Sequence, residues 1–273
     1  MQTPSLLAFN GKQRLVGENA RGRSSIHPHS AVANVGVYMG KTEQHLKAIY
    51  TPFKMEGGII DLPYGEGRMA LSPTQVASVI FKRLEKYIDV SLKGENVRDC
   101  CLVVKGNGTA RERNSLKDAA RIAGFNVVAV VPEHTAVACL YALKKFSDSA
   151  TDLTEPKNVC FVDVGYSTTS ISLARYEKGK ITVLSSAHLA VGGFSFDQKI
   201  FEYSAKILKE KHSFDVSTSA RYTVRLYAAA EKAKITLSTI KETDLLYATP
   251  DQDIKIPISR ALMESLVEEE VRG

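Results

Sequence analysis

The chain has 273 residues, 44% of them hydrophobic and 24% charged, with a formal charge of +6; that suffices to bury the core of one large domain or two lobes. No apolar run approaches the roughly 18 residues that cross a bilayer, and Met1 to Asn10 lacks the features of a secretory signal, which argues against a membrane protein and for a cytoplasmic one. The charge is uneven, with 20 basic and 13 acidic side chains in residues 1–150 against 16 and 17 in 151–273, but the basic residues are scattered and no nucleic-acid motif interleaves them, so a solvated surface is expected and not a nucleic-acid partner.

In chain order, Ser72-Pro73-Thr74-Gln75 is a capping box with proline at the first helical position. It opens an amphipathic helix whose apolar face includes Val76, Val79, Ile80, Leu84, Tyr87 and Ile88 and which Gly94 ends. A buried strand over Cys100 to Val104 leads into a glycine-rich turn, Lys105 to Gly108. Thr109 and Glu112 form a second capping box, starting a helix that runs to Gly124. A second apolar strand, Val127 to Val131, precedes a helix from Glu133 to Phe146. Strand, helix, strand, helix at this spacing predicts a parallel pairing. Ser147 to Lys157 is polar and aperiodic and reads as a linker.

Beyond it, Val159 to Val164, Thr169 to Tyr176 and Ile181 to Ala187 predict an antiparallel meander, with one turn at Glu177-Lys178-Gly179-Lys180. Helices are expected over 196–211 and 219–237, then short strands over 245–248 and 254–256, and a last helix capped by Ser259. Cys100, Cys101, Cys139 and Cys160 lie in apolar runs with no zinc spacing, and are expected to be reduced core cysteines.

Three segments carry chemistry. In Phe161-Val162-Asp163-Val164-Gly165-Tyr166-Ser167-Thr168 a strand delivers a carboxylate to a turn with a glycine and three hydroxyls. Successive amides in such a turn cradle an anion, and the acid suits a hydrated Mg²⁺; the same pattern is also an ordinary glycine-permitted hairpin. Glu133 at a helix start either satisfies the dipole or orders water on a metal. Glu231, Lys234 and Ser238 share one helix face, either solvated or ligand-binding.

The order and spacing of these segments resemble the ATPase domain of the seventy-kilodalton heat-shock chaperones. Thr3-Pro4-Ser5 with Ala8-Phe9 resembles the family's early T-P-S-x-x-A-F segment. Arg113 with Asp118-Ala119-Ala120-Arg121-Ile122-Ala123-Gly124 resembles its D-A-x-x-I-A-G helix, and Glu133-His134-Thr135-Ala136 its E-P-T-A. Asp163 to Thr168 stands in the second phosphate loop, Gly192-Gly193 with Phe196-Asp197 in G-G-x-x-F-D, and Glu231 to Ser238 in E-x-A-K-x-x-L-S. The Gly165-Tyr166-Ser167 turn, where good hydrolysers read G-G-G, and Ile235, where they commonly have an arginine, are similar to the 110-kilodalton branch of nucleotide exchange factors and holdases.

The resemblance implies an α/β, actin-like (ribonuclease-H-like) fold of two lobes with mixed sheets, lobe I over 1–150 and lobe II over 151–273, lacking the family's first phosphate loop and its last adenosine loop. It implies Asp163 as the Mg²⁺-side acid and Glu133 as the water-ordering carboxylate. Gly165, Tyr166, Ser167, Thr168, Gly192 and Gly193 fall to the phosphates, and Glu231, Lys234 and Ser238 to adenosine. The family's water-positioning lysine falls at Gly36, and its relay proline at Lys105. Losing one such group commonly costs about a hundredfold in rate. The expected function is therefore a co-chaperone that binds ATP or ADP with Mg²⁺ weakly and acts on a seventy-kilodalton chaperone and unfolded clients. An ATP-hydrolysing chaperone and a remnant without ligand are the competing readings.

Overall fold

The computed structural model describes residues 3–47, 51–93, 95–146 and 155–272. The chain divides into two compact units, Met1–Ala136 and Val137–Gly273.

In the first unit, β1 (Leu6–Asn10) pairs antiparallel with β2 (Gln13–Val16) and β3 (Ala31–Ala33), with α1 (Glu18–Ile26) packed beside them. After the short α2 (Glu43–Lys47), β4 (Lys54–Glu56), β5 (Ile59–Tyr64) and β6 (Gly67–Leu71) form an antiparallel sheet. The long helix α3 (Pro73–Ser91) covers these strands, so that Val76 and Ile80 meet Leu7, Phe9, Val32, Ile60 and Leu62 in one core. Strand β7 (Asp99–Val104), helix α4 (Ala110–Ile122) and strand β8 (Asn126–Pro132) form the expected parallel unit. Both capping boxes are present: Gln75 N–H donates to Ser72 Oγ at 3.2 Å and Glu112 N–H to Thr109 Oγ1 at 3.2 Å, each returned by the glutamine or glutamate side chain. Burial of Glu85 on α3 is offset by ion pairs to Lys82 and to Arg98, the latter at 3.2 Å.

Helix α5 (Glu133–Phe146) carries the chain into the second unit. There its Ala138, Tyr141, Ala142 and Phe146 pack on the meander β9 (Lys157–Val164), β10 (Thr169–Glu177) and β11 (Lys180–Leu189), and Tyr176 Oη donates to Ala138 O at 3.0 Å. Two long helices, α6 (Gly193–His212) and α7 (Ala220–Leu237), then pack against the hairpin of β12 (Glu242–Ala248) and β13 (Asp253–Ser259). Their core holds Ile200, Leu226 and Leu237 with Leu245, Tyr247, Ile254, Ile256 and Ile258. Helix α8 (Arg260–Arg272) closes the chain, and Leu262 N–H donates to its Ser259 cap at 3.1 Å. No helix among the described residues is long and apolar enough to cross a membrane.

Three expectations need correction. The apolar runs of β7, β8 and β9 are not fully buried: Val103, Val128, Val162 and Val164 are each more than half exposed. For the same reason the cysteines are not core residues; Cys101, Cys139 and Cys160 are exposed and Cys100 is half-buried. An apolar run records what a strand could bury, whereas burial depends on what covers it. The expected linker ended too late, since Lys157 already belongs to β9; residues 147–154 of it lie outside the described residues, as does the expected helix stop Gly94.

Candidate nucleotide site

The second unit brings most of the candidate residues together. Asp163, one residue before the end of β9, pairs across the ladder with Ser170. The loop Gly165 to Thr168 closes on itself through Gly165 N–H to Thr168 O at 2.9 Å. Its carbonyls face the start of α6: Gly193 N–H donates to Gly165 O at 3.0 Å and Phe194 N–H to Tyr166 O at 2.8 Å. Thr169 Oγ1 ties the same segment to Val191 O at 2.8 Å.

This contact explains Gly192. Its backbone is extended, so no special dihedral is required; a Cβ there would sit 2.6 Å from both Gly165 O and Tyr166 O. The approach is backbone on backbone, and only glycine leaves room for it. Gly192 N–H turns back to Ser195 Oγ at 3.3 Å. Three amides of the predicted phosphate cradle, those of Gly165, Gly192 and Gly193, are thus satisfied by the protein itself.

Helix α7 supplies the other wall. Lys234 Nζ lies 3.0 Å from Gly193 O, to which it donates, and 2.7 Å from Asp197 Oδ1. Asp197 is almost fully buried, and burial pushes its carboxyl above the ordinary carboxylate value; the Lys234 ammonium opposes this and the Glu231 charge adds to it. Glu231 is exposed, and the Ser238 hydroxyl, at the C-cap of α7, donates to Lys234 O at 3.4 Å. Sequence reasoning placed Asp197 in a motif without a role. Its signal was available, as a carboxylate in the second turn of a helix that follows two glycines. Also missed was the aromatic ladder behind the loop, in which Tyr166 packs on Phe194 (5.5 Å), Phe194 on Tyr227 (5.9 Å) and Tyr227 on Phe201 (4.0 Å).

In the first unit, Glu133 is the half-buried first residue of α5. Gly36 lies exposed in a 3₁₀ turn, Val35–Val37, and a Cβ added to it would meet nothing within 4 Å. Lys105 follows β7. Its residue surface is exposed, yet desolvation of the ammonium and the nearby Lys41 charge pull its pKa down, with Glu112 and Glu133 opposing. A cation therefore stands where the motif has proline, and none stands at Gly36.

The parallel unit of β7, α4 and β8, the antiparallel meander, and the loop seated on a glycine-led helix define an α/β domain of the actin-like ATPase class. A family model described as Hsp70 protein matches residues 1–272, and the chain belongs to that family. It is 31% identical to the chaperone protein DnaK of Deinococcus proteolyticus, across 97% of this chain and 42% of that protein. It is 28% identical to heat shock protein 88 of Dictyostelium discoideum, across 98% of this chain and 36% of that protein. It is 31% identical to a heat shock protein homolog of Lachancea kluyveri, across 97% of this chain and 40% of that protein. The chain thus spans about two fifths of the length of these relatives.

Proposed function

We propose that this chain is a nucleotide-sensing co-chaperone of the 110-kilodalton type, a cytoplasmic exchange factor for a seventy-kilodalton chaperone that also holds unfolded clients. The observation that carries the reading is the spent amide set: the Gly165-Tyr166-Ser167 turn presents carbonyls to α6, and the amides of Gly165, Gly192 and Gly193 already have partners. Phosphoryl transfer depends on donors aimed at the moving charge. Donors bonded elsewhere serve it poorly, and Gly36 offers no cation. Efficient hydrolysis is therefore outside this proposal.

The residues fit a nucleoside better than a triphosphate. Glu231 is exposed beside Lys234 and supplies acceptors for sugar hydroxyls, with the Ser238 hydroxyl one turn further along α7. Ser167 and Thr168 bring hydroxyl donors for phosphate oxygens, and Asp163 would hold Mg²⁺ through water. Mg²⁺, when bound, supplies charge neutralisation at the phosphates. Glu133 would orient a water, and Lys234, fixed between Asp197 and Gly193, ties α7 to the start of α6, on which the loop is seated.

Titration calorimetry with Mg·ADP, after a melt has shown cooperative unfolding, tests this. Saturable binding that weakens on Asp163→Ala and Glu231→Ala, with phosphate release from ATP at background, is the expected result. Phosphate release comparable to a hydrolysing chaperone would instead support the competing enzyme reading. A folded sample that gives no heat would sink the nucleotide-sensing part.

A further inference from the structure

The first unit contains a cavity of about 430 Å³ at the N-terminus of α3, where Tyr38, Lys41, Thr42, Thr74, Arg111 and Ser115 line it. Gly40 sets its geometry. With φ +65° it adopts a conformation that favours glycine, and a Cβ there would sit 2.6 Å from Glu112 Cα. This approach brings the segment after the 3₁₀ turn against the start of α4 and seats Lys41 on Glu112.

The polar groups around the cavity are unspent donors. Tyr38 is 6% exposed, its ring packed edge-on against Phe53 at 5.8 Å, and its hydroxyl makes no hydrogen bond among the described residues. Burial pushes its pKa up to about 12, so it stays a neutral donor. At the helix start Pro73 has no N–H, Ser72 takes the Gln75 amide, and the Thr74 amide has no partner among the described residues. The same holds for the hydroxyls of Thr74 and Ser115 and for the Arg111 guanidinium. Two carboxylates temper the charge: Glu112 neutralises Lys41, and Glu43 also lines the wall. Arg111 makes no ion pair among the described residues and is the cation left to meet an anion.

We propose that this cavity binds the phosphate group of a small organic phosphate ester, with Arg111 and the helix dipole facing its charge and Tyr38 and Thr74 donating to its oxygens. Unpaired donors at a helix N-terminus beside an arginine suit a phosphate oxyanion. The volume lies in the range of small-molecule sites, about 300–1,000 Å³, and leaves room for the organic part. The site lies within the first unit and is lined by none of the nucleotide residues on β9, α6 and α7.

The test is calorimetry of the whole chain with ribose 5-phosphate and, separately, inorganic phosphate, each repeated in saturating Mg·ADP. Ribose 5-phosphate is expected to bind, to lose about tenfold or more in affinity on Arg111→Ala and about threefold to tenfold on Tyr38→Phe, and to be unaffected by Mg·ADP. Tyr38→Phe removes no protein contact, so its melt should match that of the parent chain. Equal affinity for inorganic phosphate would mean that the oxyanion alone is read, and weaker affinity that the sugar is also held; both support the site. No binding of either probe, or binding that neither variant weakens, would overturn it.

Discussion

At the N-terminus of α6 the first amides are taken by two carbonyls of the loop between β9 and β10, whereas at the N-terminus of α3 they are handled by the helix's own Ser72 and Gln75, leaving Thr74 over a cavity. Both ends must satisfy the orphan donors common to all helices. The α6 solution is tertiary, so it couples a loop, two glycines and Lys234 on a third element. The α3 solution is local, and it leaves a nearby tyrosine, arginine and hydroxyls free to meet something else. A glycine-led helix start is thus not by itself an open anion site; the destination of each amide decides.

This contrast predicts unequal consequences of substitution. Lys234→Ala should have the largest effect, because it strands the buried Asp197 carboxylate and frees Gly193 O; breaking such a pair costs roughly 3 kcal/mol, read as a lowered denaturant midpoint. Gly192→Ala comes next, at about 1–3 kcal/mol, since its methyl group displaces the loop carbonyls, and amide exchange at Gly193 and Phe194 should accelerate with it. Ser72→Ala removes only a local cap and should cost about 1 kcal/mol, with exchange rising in the first turn of α3 alone. If Ser72→Ala proved as damaging as Lys234→Ala, the distinction between tertiary and local closure would fail.

The smallest effect is a pH slope. The Asp197 carboxyl is raised in the folded state, so the fold binds its proton more tightly than the unfolded chain does. Its contribution is fully present below the ordinary carboxylate value and declines as pH rises through the raised one. Stability measured across that acidic window should fall less steeply with rising pH in Asp197→Asn than in the parent chain.

The same contrast separates what was legible in the sequence from what was not. Helices α3 and α4 were readable to the residue at their starts because Ser72, Gln75, Thr109 and Glu112 carry the cap in their own side chains. Helix α6 begins at Gly193, earlier than the expected 196, because its cap is the carbonyls of a loop far away in sequence. Strands β1 to β6 carry three to six residues each and were too short for a periodic signal. The candidate residues of the second unit were legible as a group through motif spacing, but the engagement of Lys234 with Asp197 and the closure of the amides were not, since neither follows from neighbours in the chain.

The most direct test of the exchange-factor reading is the rate at which a seventy-kilodalton chaperone releases a fluorescent ADP analogue with and without this chain. The account predicts a release rate that rises and saturates with added chain while phosphate production by the chain alone stays at background. Unchanged release at saturating, folded chain would contradict it.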